Sequence, residues 1–278
     1  MILKDTINQA SLQLKKNYIK SHLLDAEVIL SSIMKVDREF LQLRDKLYIS
    51  KNIRKKYNAA IERRSKKEPV AYIIGNKEFW SIDFHIDKSA LIPRPETELL
   101  VNEIINFNKN KKINILDIGT GSGCVLLSIL KEMKLAKGVG IDISKKAIHL
   151  AKNNAKKLNL FNRSHFKVCE IDNFIYSKFD LIVSNPPYIP LNEIKKLSRE
   201  ITDYEPIVAL NGGIDGLDLI KKVIYKSKIL LKKKGILAIE IGNRQYKEVS
   251  SILVKSGFRE LRKVHDYGFN VRCVISRS

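Results

Sequence analysis

Through residues 1–68 the apolar positions recur at helical spacing, as in Leu24, Val28 and Ile29 and again in Ile53, Tyr57, Ala60 and Ile61. Side chains three and four apart share one face of an α-helix, so the pattern predicts a small all-helical domain over residues 1–70. Asp25 and Asp37 stand where capping carboxylates would start helices. Over residues 72–91 the period shortens to two around Phe79, Ile82, Phe84 and Ile86, which suits a β-hairpin. Residues 71–92 are therefore expected to form a hairpin that bridges the helical part to the remainder. Pro93 and Pro95 then interrupt any regular element, and residues 98–105 read as helix.

From Lys112 onward strand-like and helix-like pieces alternate: INILDI, a helix, GVGIDI, a long helix from Ser144, FKVCEI and FDLIVSN. A loop-rich stretch over residues 186–216 follows. The pattern resumes with a helix through Leu231, the strand GILAIEI, another helix, and the pieces LRKVHD and VRCVIS. Such alternation implies an α/β domain over residues 93–278, its sheet mostly parallel and covered on both faces. No internal repeat or low-complexity linker interrupts it.

The size and composition agree with one α/β domain plus a smaller accessory one: 278 residues, 44% hydrophobic and 29% charged. The first twenty residues carry charges every few positions, and no later apolar run approaches the length of a membrane span, so a cytoplasmic protein with no membrane attachment is expected. Cys124, Cys169 and Cys273 form no C-x-x-C pair, and the five histidines have no metal-ligand spacing, so no metal is expected. A net charge of +21 is consistent with an acidic partner such as nucleic acid. Lysines scattered through every segment beside many Ile and Asn are equally what an A+T-rich genome would produce, so direct nucleic-acid binding is possible without being required.

The segment D-I-G-T-G-S-G, with Asp117, Gly119, Thr120, Gly121, Ser122 and Gly123, follows an apolar strand and enters a helical run. Its glycines allow a turn whose backbone lies directly against a ligand. Asp142 ends the next strand, nineteen residues past Gly123, where a carboxylate can accept from both hydroxyls of an adenosine ribose. NAD would be served by the same spacing. The alternating glycines after an acid resemble the D-x-G-x-G-x-G loop of class I methyltransferases, which would select S-adenosyl-L-methionine. In that fold Asp172 and Asn173 would lie beside the adenine edge, Asn173 in contact.

Asn185-Pro186-Pro187-Tyr188 ends the fourth strand of the α/β part. Ligands of doubly wound sheets bind beyond the carboxyl ends of the strands, which puts this tetrapeptide over the cofactor. An amide or aromatic amine nitrogen has a delocalised lone pair, but its two N–H groups can donate to the Asn185 side-chain oxygen and the Pro186 carbonyl. Those bonds aim the lone pair and favour the positive charge that develops on nitrogen. Asn185 is thus placed at both cofactor and substrate, with Pro186 and Pro187, and Tyr188 is expected to stack on the planar target.

With both motifs present the chain resembles the HemK/PrmC family of peptide chain release factor glutamine-N5 methyltransferases. The likeness includes Glu68-Pro-Val-Ala-Tyr72, Gly75, Leu91-Ile-Pro-Arg-Pro-Glu-Thr-Glu98, the two sites above, and Tyr204-Glu-Pro-Ile-Val-Ala-Leu-Asn-Gly-Gly213 with Asp215 and Gly216. The resemblance implies a class I S-adenosylmethionine-dependent methyltransferase, a Rossmann-like fold with a small N-terminal helical domain that helps hold the partner. It also implies S-adenosyl-L-homocysteine as product, and a class 1 release factor whose Gly-Gly-Gln loop presents its glutamine to Asn185 and Pro186. A monomer is expected. Asn173 and Phe269 depart from the family pattern, the former standing where many relatives carry tryptophan. N-P-P-Y is shared with adenine and guanine amino-methyltransferases of RNA and DNA, which stay open as the alternative.

Overall fold

A computed structural model describes residues 1–108, 111–175 and 178–278. They form two compact units, one of Met1–Asn76 with Ser198–Tyr204, the other of Lys77–Leu197 with Glu205–Ser278. These limits differ from the expected ones in two ways. Seven residues of the long loop belong with the helices, and the hairpin belongs almost wholly to the α/β unit.

The first unit consists of α1 (Leu3–Lys16), α2 (His22–Met34), α3 (Arg38–Leu43), α4 (Lys51–Ser65) and α5 (Val70–Ile74), with a one-turn helix at Arg199–Thr202. Its core gathers Leu3, Leu14, Ile29, Leu30, Leu41, Tyr57 and Ile61. On α4 the buried stripe is Tyr57, Ala60, Ile61 and Arg64, the three- and four-residue spacing of one helix face. Leu24, expected on the apolar face of α2, is exposed.

Asp25 is not a cap. Helix α2 starts three residues earlier, and Asp25 is buried within it, accepting from Arg64 Nε at 2.7 Å and Ser21 Oγ at 2.9 Å. Arg64 also donates to the Glu68 carbonyl at 3.1 Å and to Glu200 Oε1 at 2.8 Å. With the Tyr204 hydroxyl on the Lys66 carbonyl at 2.8 Å, these bonds hold residues 198–204 to the helices. Asp37 does precede α3, although its side chain makes no capping hydrogen bond.

In the second unit β1 (Asn76–Phe79) and β2 (Ile82–His85) form the expected hairpin, but residues 71–74 assigned to it are the end of α5. Trp80 and Ser81 make its turn with φ of 55° and 52°, the positive values a two-residue hairpin turn of the primed type needs. Then follow α6 (Thr97–Asn108), β3 (Asn114–Ile118), α7 (Cys124–Glu132), β4 (Lys137–Asp142), α8 (Lys145–Lys157), β5 (Ser164–Val168) and β6 (Phe179–Ser184). The helix Asp218–Leu230, β7 (Leu231–Glu240), the helix Tyr246–Lys255, β8 (Arg259–His265) and β9 (Val271–Arg277) complete the unit.

The seven strands run in the order β5-β4-β3-β6-β7-β9-β8. Only β9 opposes its neighbours; the pairs from β5 to β7 are parallel. Leu116, Ile118, Ile182, Leu237 and Ile239 pack with Ile220, Val223, Ile224, Val249 and Leu253 of the two later helices. Alternate residues such as Ile115, Leu181 and Val183, also buried, point to the opposite sheet face. Burial on both faces is why these strands read as continuous apolar runs. The chain order reverses between β3 and β6, so the loops leaving these adjacent strands open a crevice at their carboxyl ends.

Candidate active site

That crevice is a cavity of about 360 Å³, and both sequence motifs line it. Beyond β3 the chain turns through residues 119–123 into α7, with the Gly119 and Thr120 amides both donating to the Ile141 carbonyl at 2.9 Å. Gly119, Gly121 and Gly123 have φ of +74°, +54° and +80°, a region that costs most L-residues about 1–2 kcal/mol. Among the described residues, a Cβ on Gly119 would meet nothing within 4 Å, and one on Gly121 would meet the Ala90 methyl at 3.8 Å. The backbone there faces open space and forms a cradle. Gly123 behaves differently: its Cβ would fall 3.1 Å from Leu127 and 3.2 Å from Ala151, and it does not line the cavity. Its role is the close seating of α7 against α8.

Two carboxyls brace the cradle. Asp117 is buried and accepts from Thr120 Oγ1 at 2.6 Å, and burial with the nearby Asp142 charge pushes its pKa up to about 7 against that bond. Asp142 lines the cavity, its Oδ2 accepting from the Gly121 amide at 3.0 Å and Oδ1 from the Ser144 amide at 2.8 Å. Burial raises its pKa too, opposed by those backbone N–H groups. Behind the loop, fully buried Asn154 of α8 donates to the Ser122 carbonyl at 2.9 Å and exchanges bonds with His85 of β2 at 2.8 and 3.0 Å. One amide thereby ties the hairpin to the cradle.

At the end of β6, Ser184 Oγ donates to the Ile118 carbonyl at 2.8 Å and locks the two loop-bearing strands together. Asn185, Pro186 and Pro187 follow and line the cavity beside Gly119, Thr120, Gly121 and Ser122. The Asn185 Nδ2 donates to Thr97 Oγ1 at 3.2 Å. Val208 and Ala209 supply apolar wall near the prolines.

Two predicted site residues lie elsewhere. Asn173 is exposed in a one-turn 3₁₀-helix and does not line the cavity; Cys169, Glu170 and Ile171 do. Tyr188 does not line the cavity and packs on the sheet core, its hydroxyl donating to Glu240 Oε1 at 3.4 Å. Burial raises the phenol pKa, with the Glu240 charge adding to the effect. The ring packs under the loop that carries Asn185, Pro186 and Pro187.

Sequence reasoning assigned no role to several residues that shape the site. Glu205 is buried and accepts from Arg94 at 2.6 Å and from the Ile92 amide at 3.3 Å. Gln245 donates to the Tyr188 and Gly216 carbonyls at 2.9 and 3.2 Å and accepts from the Gly242 amide at 2.8 Å. Thr97 and Glu240 are both buried, and the Glu240 carboxyl accepts from the Tyr188 hydroxyl. Burial pushes that carboxyl up to about 7, against Thr97, Arg272 and Tyr188. The signal available for Arg94 and Glu205 was their opposite charge inside two family segments.

A parallel sheet whose Gly-turn and N-P-P loop meet over one cavity defines a class I methyltransferase fold. Residues 109–266 match a methyltransferase domain family and residues 5–75 the PrmC N-terminal domain. Among solved structures, a methyltransferase from Pyrococcus furiosus superposes with a TM-score of 0.54 at 16% identity, covering 72% of this chain and 91% of that one. A ribosomal protein L11 methylase from Lactobacillus delbrueckii subsp. bulgaricus gives 0.50 at 21% identity over 66% and 80%. Among curated relatives, a release factor glutamine methyltransferase from Clostridium acetobutylicum is 40% identical, over 99% of this chain and 98% of its own. One of the same name from Buchnera aphidicola subsp. Baizongia pistaciae is 37% identical over 100% and 99%. The chain belongs to the release factor glutamine methyltransferase family.

Proposed function

We propose that the chain transfers a methyl group from S-adenosyl-L-methionine to the side-chain amide nitrogen of the glutamine in the Gly-Gly-Gln loop of class 1 peptide chain release factors. S-adenosyl-L-homocysteine is the other product. The observation that carries this reading is that Asn185 and Pro186 share one cavity with Gly119, Gly121 and Asp142. The family to which the chain belongs supports the choice of target. No helix of the described residues is long and apolar enough to cross a membrane, and we read the enzyme as a cytoplasmic monomer.

The cradle fits the cofactor. Open backbone at Gly119 and Gly121 suits a zwitterionic amino acid tail, and the Asp142 carboxylate suits vicinal ribose hydroxyls. Asp117, Thr120 and Ser122 line the same wall, while Gly123 holds it in shape from behind. Ile143 and Ile171 offer apolar surface to an adenine. Bound there, the cofactor supplies an electrophilic sulfonium methyl.

The protein's part is positioning. The Asn185 Oδ1 and the Pro186 carbonyl accept the two N–H groups of the target amide and leave its lone pair directed at the methyl. Neutral acceptors hold a nitrogen more strongly as it becomes cationic, so these bonds strengthen toward the transition state. Pro187 offers an apolar face that helps exclude water.

Incubating the purified protein with labelled S-adenosyl-L-methionine and, separately, a release factor, tRNA, rRNA and DNA, then locating the methyl by mass spectrometry, tests the proposal. Label is expected on the Gly-Gly-Gln glutamine. The +21 charge favours the second reading, a nucleic-acid base amino-methyltransferase, and label chiefly on a purine would establish that one instead. Asn185→Ala should lower kcat by about 10²–10³-fold while cofactor affinity changes little; normal turnover would remove the proposed role.

A further inference from the structure

At the end of the sheet opposite the active site stand charges that methyl transfer does not use. The carboxyl ends of the strands bring Asp117, Asp142 and Glu240 toward the cavity. The amino-terminal edge brings cations instead: Lys137 opens β4, Arg163 directly precedes β5, residues 232–234 of β7 are all lysine, and Arg259 and Arg277 are register partners on β8 and β9. Helices of the unit end on the same side, and Lys131, Lys156 and Lys255 in their last turns are what a helix C-terminus attracts. The strand-edge cations have no such cause. A lysine excess from base composition predicts no sorting of sign between the two ends.

Carboxylates close to this edge are already engaged. Asp180 accepts from Lys232 Nζ and from the Asn114 amide, both at 2.8 Å, Glu132 from Trp80 Nε1 at 3.2 Å, and Glu260 from the Tyr246 hydroxyl at 3.0 Å. Lys137, Lys233, Lys234, Arg259 and Arg277 are exposed and form no ion pair among the described residues. A second cavity, of about 310 Å³, opens in the same edge where β3, β4 and β5 begin, and Lys137, Phe161, Asn162, Arg163 and His165 line it. The Arg163 guanidinium is fixed there by the carbonyls of Leu130, Met133 and Ala136 at 2.6, 3.0 and 3.1 Å. Phe161 is 58% exposed, an aromatic ring left in water beside a row of cations.

We propose that this edge binds single-stranded RNA, with phosphates along the strand-edge cations and one base stacked on Phe161 in the cavity. Exposed cations without partners suit a polyphosphate, which releases its counterions on binding. An aromatic set beside them suits an unstacked base, because every base offers a π-face. A duplex hides those faces, and a membrane surface presents headgroups to the cations but nothing planar to a concave site. RNA is recognised chiefly through single-stranded loops and ends whose bases splay out in this way. The surface is independent of Asn185 and of the target assigned to it, so RNA and cofactor are bound at once.

The test titrates the full chain into a fluorescein-labelled oligouridine and follows anisotropy at several salt concentrations. Wild type should bind with a Kd of about 10 µM or tighter at low salt. Combining Lys137→Glu, Lys233→Glu and Arg259→Glu should weaken binding at least about tenfold and lower the slope of log Kd against log salt by about 2, three phosphate contacts being lost. Phe161→Ala should cost about tenfold with the slope unchanged. The control combines Lys145→Glu, Lys146→Glu and Lys247→Glu, exposed lysines at the cavity end; it changes net charge equally and should stay within about threefold of wild type. Calorimetry should give every variant, and wild type saturated with oligouridine, the same Kd for S-adenosyl-L-homocysteine within about twofold, which also reports that each is folded. Absence of oligouridine binding would overturn the proposal, as would an equal loss in the control or an unaffected Phe161→Ala. Tighter binding of duplex RNA, oligodeoxythymidine or phosphatidylserine vesicles than of oligouridine would overturn it too.

Discussion

Glu240 gives the second unit a stability that depends on pH in a direction opposite to that of most paired carboxylates. Its ordinary pKa of 4.5 rises to about 7 in the folded protein, where burial outweighs the Thr97, Arg272 and Tyr188 partners. Below pH 4.5 the group is protonated in both folded and unfolded chains and costs nothing. As pH climbs from 4.5 to about 7 the unfolded chain ionises while the folded one holds its proton, so stability falls over that window. At about 1.4 kcal/mol per pH unit the interval amounts to roughly 3 kcal/mol, reached near neutrality and constant above it. Glu240→Gln keeps an acceptor and removes the titration. The variant should therefore match the wild type near pH 4 and exceed it by roughly 3 kcal/mol at pH 8. Asp117 titrates in both proteins and cancels in the difference. Urea unfolding followed by Trp80 fluorescence reads the right unit, since Trp80 is the sole tryptophan and lies in the same compact unit as Glu240. A stability difference that is flat within about 0.5 kcal/mol between pH 4 and 8 would refute the reasoning.

Two further outcomes concern the frame. Arg64→Leu strands Asp25 without its guanidinium inside the helical unit, and should cost about 3–5 kcal/mol; circular dichroism during urea titration measures this, and pairing the change with Asp25→Leu should return much of the loss. Phe269 sits at φ +61° in the turn between β8 and β9 and is 87% exposed, so it has backbone strain and little packing to lose. Phe269→Asn, a residue that tolerates this conformation, should stabilise by about 1 kcal/mol, seen as a raised Tm.

What the sequence disclosed is what the backbone decides. Strands buried on both faces read as apolar runs, and from INILDI to FDLIVSN each such run is a strand of the parallel sheet. The Gly-turn and the N-P-P loop could be put in one crevice because ligands of doubly wound sheets bind beyond the carboxyl ends of the strands, and β3 and β6 pair side by side. Where a partner distant in sequence decides, the text of the chain was silent. Asp25 looked like a cap because nothing near it announces Arg64, thirty-nine residues away. The hairpin turn carried no Asn-Gly or Gly, and Trp80-Ser81 take positive φ without the usual residues. Tyr188 was expected over the substrate because its neighbours Asn185 and Pro186 are there. Its hydroxyl reaches Glu240, and Gln245 grips its carbonyl from the loop after β7, partners more than fifty residues away. The same distinction runs through the site itself: prolines and glycines shape their loops by their own dihedral limits, whereas the Asn185 side chain meets Thr97, eighty-eight residues away in sequence, a contact that no local pattern announces.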